Sequence, residues 1–173
     1  MATFIKIATV EVGAGGASSM DFSSIPSTYT DLVLKVSSRD TNATGNNGFV
    51  TVQFNGSTSG YSNRWIRGAG SGTPISSMGL TTGIDGGIGQ AMDSAGNTAS
   101  TFANVEFYIP NYAGSTNKSV SNDSVSEENG TTAYMGLNAG LWSNTAAITS
   151  ISIKPTTLFA QYSTATLYGI SKS

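Results

Sequence analysis

The groups most able to do chemistry in this sequence are four acidic residues near its middle, namely Asp85, Asp93, Glu106 and Asp123. Two carboxylic acids that flank a glycosidic bond can act as acid and base in its hydrolysis. The spacing of these residues along the chain does not indicate that any two of them approach in space, and carboxylates are most often found on protein surfaces. We therefore expect no catalytic residues and no enzymatic activity.

The sequence contains no histidine and no cysteine. Histidine is the usual general base and the commonest metal ligand, and cysteine supplies thiolate nucleophiles and further metal ligands. The sequence GIDGGIG at 83–89 has glycines like those of a phosphate-binding loop, but it lacks the closing lysine and the strand-to-helix setting of such a loop. We interpret it as an ordinary loop and expect neither a cofactor nor a metal site.

Charged residues are few and scattered along the chain. Eight Lys and Arg residues against ten Asp and Glu residues give a net charge of −2, with no basic stripe that would neutralise phosphates, so nucleic acid is not an expected partner. Only 10% of the residues are charged, whereas ordinary soluble domains have roughly a quarter. A polar but neutral surface lacks much of the charge repulsion that keeps monomers apart, which favours a protein that works within an assembly.

No segment has the composition of a membrane anchor. The N-terminal sequence MATFIKIATVEVG has no basic region followed by an apolar run, and no stretch approaches the roughly 20 apolar residues of a membrane helix. We expect a protein that is made in a cytoplasm without an export signal and that has no membrane partner.

Aromatic and arginine residues are the candidates for binding. Trp65, flanked by Arg64 and Arg67 and followed by a Gly-rich region, suits either a protein interface or the core, and the sequence does not decide between them. Tyr112 is a further candidate interface residue, because tyrosine combines a large apolar ring with a polar tip. Trp142 lies beside an apolar alternation and is expected in the core.

The segment at 102–114, FANVEFYIPNYAG, is the clearest strand and the centre of the expected sheet. Its apolar residues alternate with polar ones, so that 103, 105, 107 and 109 share one face. Pro110 ends the strand because it has no N–H for a ladder, and Asn111 begins a turn. Upstream, Tyr29 and Asp31 form a corner at the entrance to another strand, held by hydrogen bonds from side chains to backbone. These four residues are expected to set geometry.

Further short strands are expected at 4–12, 20–23, 32–37, 49–54, 61–68, 119–126, 131–142 with a break at Gly140, 147–154 and 164–170. The region 69–97 is Gly-rich and is expected to be a long loop with one short strand near 75–80, while 127–130 is expected to be a turn. Eight to ten strands with Gly, Asn and Pro turns predict an all-β protein, a single antiparallel β-sandwich domain over 1–173 that is jelly-roll-like.

Five segments together carry a resemblance to a known group of proteins. They are FSSIPSTYTDLVLKVSSR at 22–39, VQFNG at 52–56, FANVEFYIPNYAGS at 102–115, LWSNTAAITSISI at 141–153 and ATLYGI at 165–170. In this order they resemble virion structural proteins of tailed bacteriophages. The resemblance implies a β-sandwich accessory protein that decorates or cements a capsid, or that forms a head fibre or tail appendage.

The expected function follows from this resemblance and from the low charge. We expect a capsid decoration or cement protein that stabilises the assembled shell, located in the virion, with the major capsid protein or another virion protein as its partner. A homotrimer is the expected state, since that is the usual symmetry in such a setting. The alternative is a fibre or appendage module that binds host carbohydrate through exposed aromatic residues.

Overall fold

The computed structural model describes residues 3–44, 48–70, 72–86, 92–127, 129 and 133–171. These residues form twelve β-strands and no helix. In chain order the strands are β1 (Thr3–Glu11), β2 (Met20–Phe22), β3 (Asp31–Ser38), β4 (Thr51–Phe54), β5 (Tyr61–Ala69), β6 (Ile75–Met78), β7 (Ile84–Asp85), β8 (Ala103–Pro110), β9 (Lys118–Glu127), β10 (Ala133–Trp142), β11 (Ile151–Lys154) and β12 (Thr164–Ser171).

The strands form two antiparallel sheets. The order in the large sheet is β1-β12-β3-β8-β9-β10-β5-β6, and the order in the small sheet is β2-β11-β4-β7. The chain alternates between the sheets from β1 to β5 and crosses again at β7 and β11, so buried side chains of both sheets form one hydrophobic cluster. The expected all-β, antiparallel, jelly-roll-like sandwich is confirmed. The unequal division into eight and four strands is not predicted by the sequence.

The central strand is β8, which lies between β3 and β9 in the large sheet. Its inward residues are buried and its outward residues Asn104 and Tyr108 are exposed, which confirms the predicted alternation. The neighbouring strand β3 follows the same rule, because Leu34 and Val36 are buried while Lys35 is exposed. These two strands therefore have an apolar inner face, and their outer face is mixed, with Lys35 and Glu106 beside the buried Val33 and the partly exposed Tyr108.

An aromatic cluster joins the two sheets at one end of the core. The ring of Phe54, from the small sheet, lies 5.6 Å from the ring of Trp142 and 6.2 Å from that of Tyr61, both in the large sheet. The N–H of Phe54 also donates a hydrogen bond of 2.8 Å to the Tyr61 hydroxyl. Trp142 is only 1% exposed, so its predicted place in the core is confirmed.

Asp31 joins the start of β3 to the end of β8. Its carboxylate accepts a hydrogen bond of 2.9 Å from the N–H of Asn111 and another of 2.9 Å from the hydroxyl of Tyr108. Pro110 pairs with Asp31 in the sheet register, and Asn111 has a φ of 49°, which turns the chain away from the sheet. Three of the four residues that the sequence assigned to a structural motif are thus brought together at one corner.

The ring of the fourth residue, Tyr29, packs against the neighbouring strand β12. A Cβ added to Gly169 would overlap the Tyr29 ring, so the ring rests directly on the glycine backbone. Beside it, the N–H and the hydroxyl of Thr30 both donate hydrogen bonds to the carbonyl of Ile170, at 2.8 and 2.7 Å. The corner therefore ties the entrance of β3 to both of its neighbours in the large sheet.

Two predicted strands have different limits in the structure. The strand predicted at 147–154 begins only at Ile151, because the Asn55 side chain bonds the backbone of Ala147, Thr149 and Ser150 and holds that segment out of the sheet. The strand predicted to break at Gly140 instead continues through it to the end of β10. A Cβ at this glycine would lie 2.7 Å from a methyl group of Ile84, so the glycine permits close packing of the two sheets.

The Gly-rich region 69–97 contains more regular structure than a long loop. The strand expected near 75–80 is present as β6, and the two-residue strand β7 follows it. In the GIDGGIG sequence, a Cβ at Gly83 or at Gly86 would overlap side chains of β4 and of the segment just before it, so these glycines serve close packing. Residues 71 and 87–91 lie outside the described residues, as do 128 and 130 of the turn expected at 127–130 and 131–132 of the strand expected at 131–142.

Candidate functional site

Strands β9, β10 and β5 reverse the polarity of the rest of the large sheet. On their inner face Asn63, Asn122 and Asn138 are buried. On their outer face Leu137 is 55% exposed and Met135 is 66% exposed. Buried amides and exposed large apolar side chains on the same strands are the informative exceptions to ordinary burial.

The phase of this reversal is set at the end of β10. Trp142 lies in the core and shares its face with every second residue of the strand, including Asn138. Leu137 and Met135 are an odd number of residues from Trp142, so the same pleat turns them outward. Burial of one large ring therefore determines which side of β10 faces solvent.

The exposed apolar residues of adjacent strands lie side by side. We define the apolar face by Ile66, Met78, Val125, Met135 and Leu137, all of which are exposed. In the sheet register Leu137 pairs with Ile66 and Met135 pairs with Val125. Met78, on the edge strand, pairs with Arg64 and lies diagonally across from Ile66, which pairs with Ser76. The apolar face thus extends over β9, β10, β5 and β6.

A groove of about 740 Å³ crosses this face, and a smaller concavity of about 230 Å³ adjoins it. The groove is lined by Ile66, Met78, Leu137 and Ala139, with Arg64 beside them. Among the described outward residues of these four strands, the charged ones are Arg64 on β5 and Asp123 and Glu127 on β9. Depletion of charge and enrichment in methionine are typical of the centre of a protein interface.

A network of amides fills the interior beneath the apolar face. Asn63 donates hydrogen bonds to the carbonyls of Leu80 (2.7 Å) and Gly83 (2.9 Å), and its side-chain oxygen accepts bonds from the N–H of Asp85 (3.2 Å) and the amide of Asn138 (3.1 Å). These bonds hold the chain between β6 and β7 against the inner face of the large sheet. Each buried backbone N–H or C=O group needs a hydrogen-bond partner. The Asn63 side chain supplies a partner to three such groups, which an apolar side chain at this position could not do.

Asp85 lies at the centre of the same network. Its carbonyl accepts hydrogen bonds from the amides of Asn122 (2.7 Å) and Asn138 (2.9 Å), and its carboxylate accepts one from the N–H of Leu80 (2.8 Å). Burial raises the pKa of the Asp85 carboxyl, and the Leu80 N–H opposes part of that rise. One carboxylate oxygen of Asp85 and the side-chain oxygens of both asparagines are buried without a hydrogen-bond partner.

The candidate interface residues Arg64, Trp65 and Arg67 do not lie on one surface. Trp65 is almost fully buried on the inner face of β5, and Arg67 lies on the same side, with its guanidinium 5.9 Å from the Trp65 ring and 5.6 Å from the Tyr134 ring. Arg64 points to the outer face, where it lies beside the groove. Of these three candidate interface residues, Arg64 projects from the outer face, while Trp65 and Arg67 contribute to the lining of the groove and of the smaller concavity from the inner side of β5.

The structure corrects the expectation for Tyr112. Its side chain is fully buried and its hydroxyl donates a hydrogen bond to the carbonyl of Pro26. A residue enclosed in this way makes no contact with another protein while the chain is folded. The apolar ring fills the core, and the carbonyl supplies the partner that a buried hydroxyl requires.

The four acidic residues do not form a common site. Asp85 and Asp93 are buried, whereas Glu106 and Asp123 lie opposite each other on the outer face of β8 and β9. Glu106 forms an ion pair of 2.7 Å with Lys35, and this contact raises the pKa of the lysine. No group of three or more acidic side chains that could hold a metal ion occurs among the described residues.

The apolar face was not predicted from the sequence. A pattern in the sequence nevertheless points to it: Met135 and Leu137 are out of phase with Trp142, and the residue in phase with it is Asn138. Once Trp142 is assigned to the core, the period of two places the apolar pair outside. The contribution of Ile66 and Met78 depends on which strands are neighbours, which the sequence does not reveal.

Comparison with protein-family models, with curated proteins and with solved structures finds no match. Within the part of the chain that the structure describes, no helix is long and apolar enough to cross a membrane. The inference about function therefore rests on the apolar face and on the sequence segments described above.

Proposed function

We propose that this chain is a structural protein of a tailed-phage particle that decorates or cements the capsid and stabilises the assembled shell. The observation that carries the proposal is the apolar face over β9, β10, β5 and β6. The five segments that resemble virion proteins of tailed phages supply the setting.

The apolar face supports a role in assembly because exposure of contiguous large side chains is costly in water. Burial of apolar surface contributes about 25 cal/mol for each Å² removed from water. Soluble monomers rarely expose contiguous apolar patches larger than a few hundred Å², and larger patches mark sites of interaction. Here Ile66, Met135 and Leu137 are exposed together on one face of the large sheet.

A decoration protein would act by mass action. It binds the assembled shell and not the disassembled subunits, so its binding free energy adds to the stability of the particle. Its partner would be the major capsid protein or another virion protein, and its location would be the virion. The homotrimer expected from this setting remains a prediction.

Carbohydrate binding has less support. Both tryptophans, the side chains best suited to stack on a sugar ring, are buried. The exposed aromatic residues of the large sheet are Phe4, whose ring lies edge to face against Tyr168 with centroids 6.4 Å apart, and Tyr108, whose hydroxyl is bonded to Asp31. These rings offer a sugar less stacking area than a tryptophan would.

The test compares particles with and without this protein. We expect particles that lack it to break at a lower temperature than complete particles while they adsorb to the host normally. Addition of the purified chain should restore heat stability. Particles that lack the protein, remain heat-stable and fail to adsorb would overturn the proposal in favour of receptor binding.

A further inference from the structure

We propose that the apolar face docks against the same face of a second copy of this chain, related by a two-fold axis that runs along β10. This inference rests on the proposed function only in that both require an assembly surface, and it favours a two-fold dimer over the homotrimer expected from the virion setting. The partner is identified by the arrangement of charge and side chains around β10.

The charges that border the apolar face are self-complementary. Arg64 lies on β5 and Asp123 on β9, which are the two neighbours of β10. A two-fold axis along β10 places β5 of one copy over β9 of the other. Arg64 then lies one two-residue row, about 7 Å along the strand, from Asp123 of the second copy. The long arginine side chain spans that distance, and the symmetry forms the ion pair twice.

Residues on the axis would meet their own counterparts. Met135 and Leu137 of β10 are exposed and uncharged, so identical side chains face each other without repulsion. Ala139, in the next row, leaves space in the groove. Methionine adapts its shape to a facing surface because it is unbranched and flexible.

The outermost residues of the proposed interface also face suitable partners under this symmetry. Met78 on β6 and Tyr108 on β8 lie two strands from β10 on opposite sides, and they belong to the same row of paired residues. The axis therefore places Met78 of one copy over Tyr108 of the other. Both side chains are exposed, and a sulfur atom near an aromatic ring is a favourable contact.

The size of the face indicates a reversible dimer. Five strands and three rows span roughly 24 by 20 Å, or about 500 Å² of sheet face. A standard stable interface buries about 800 Å² on each partner. We therefore expect a dimer that forms at micromolar concentration and dissociates on dilution.

The first experiment is sedimentation velocity of the full chain over a range of concentrations. We expect a monomer–dimer equilibrium, and we expect Leu137→Asp to weaken dimerisation at least tenfold because it places two carboxylates close to the axis. Phe4→Asp is the matched control, since Phe4 is as exposed as Leu137 but lies at the opposite end of the large sheet. It should leave the dimer intact. Circular dichroism would verify that each variant is folded.

The second experiment reverses the charges. Arg64→Asp and Asp123→Arg should each weaken the dimer, and the double variant should restore it to within a few-fold of the wild-type dissociation constant. A double variant no better than the single ones, a trimer, or a monomer at all concentrations would overturn this inference. Monomers that still stabilise particles would contradict the dimer alone. A dimer in solution, together with particles that lack the protein and yet keep normal heat stability and host adsorption, would contradict the proposed function alone.

Discussion

The two halves of the large sheet differ in the side chains that their inner and outer faces carry. In β3 and β8 the apolar side chains face inward and the outer face carries polar contacts such as the Lys35–Glu106 ion pair. In β9, β10 and β5 the inner face carries asparagines and the outer face carries Ile66 and Leu137. The strands are continuous neighbours in one sheet, so the change in polarity occurs between β8 and β9.

The contrast follows from what each half packs against. The first half faces apolar residues of the small sheet and supplies most of the large sheet's share of the hydrophobic core, to which Tyr61, Val120 and Trp142 of the second half also belong. The second half faces β7 and the chain around it, where backbone groups of Leu80, Gly83 and Asp85 require hydrogen bonds. Amide side chains meet that requirement and apolar ones do not, because a buried backbone group without a partner costs about 1 to 3 kcal/mol.

The largest effect is expected in the apolar half. Phe107→Ala removes a fully buried ring at the centre of β8. We expect a loss of about 4 kcal/mol in the free energy of unfolding, from lost burial and from the cavity that remains. Urea denaturation measures it. Asn104→Ala, on the exposed face of the same strand, should stay within about 0.5 kcal/mol of wild type; a similar loss in both variants would contradict the assignment of the two faces.

A somewhat smaller effect is expected in the polar half. Asn63→Leu keeps a similar volume but leaves buried groups of Leu80, Gly83 and Asp85 without their partners. We expect a loss of about 3 kcal/mol, measured in the same way. If this interior behaved like an ordinary apolar core, the leucine would be tolerated or stabilising. Asn104→Leu is the control for the same change at an exposed position.

A pH dependence of stability provides a finer test of the polar half. Burial raises the pKa of Asp85, so the unfolded chain loses this proton at a lower pH than the folded chain does. Stability from this group is therefore complete below the ordinary carboxyl pKa of about 3.9 and declines as pH rises toward the raised value. Asp85→Asn should reduce the decline.

The measurement is the urea midpoint as a function of pH for wild type and variant. Some decline should persist in the variant, because burial also raises the pKa of Asp40. Asp123→Asn, on the exposed outer face, is the control and should follow the wild-type curve. A curve for Asp85→Asn that coincides with wild type would show that this carboxyl does not couple folding to pH.

The smallest effect on stability is expected on the apolar face. Leu137→Ser removes an exposed side chain and should change the free energy of unfolding by less than about 0.5 kcal/mol at concentrations where the chain is monomeric. The comparison with Phe107→Ala separates apolar residues that hold the fold from apolar residues that do not. A loss of several kcal/mol in Leu137→Ser would mean that this face is packed within the monomer.

Local features of the sequence were sufficient to predict an antiparallel β-sandwich. Period-two alternation identified β3 and β8 together with the residues that face the core, and Pro110 and Asn111 marked the end of the central strand. These features act between residues close in the chain, where steric limits on the backbone and the pleat of a strand determine structure. Trp142 was assigned to the core for the same reason.

Tertiary structure alone decided that Tyr112 is enclosed, that asparagines line the inner face beside Trp142, and that Ile66 and Met78 join Leu137 on one surface. A period of two defines two faces but does not state which one meets the other sheet. That choice depends on strand order and on which backbone groups approach from the small sheet. Both are contacts between residues far apart in sequence, so an alternation read in one strand contains no information about them.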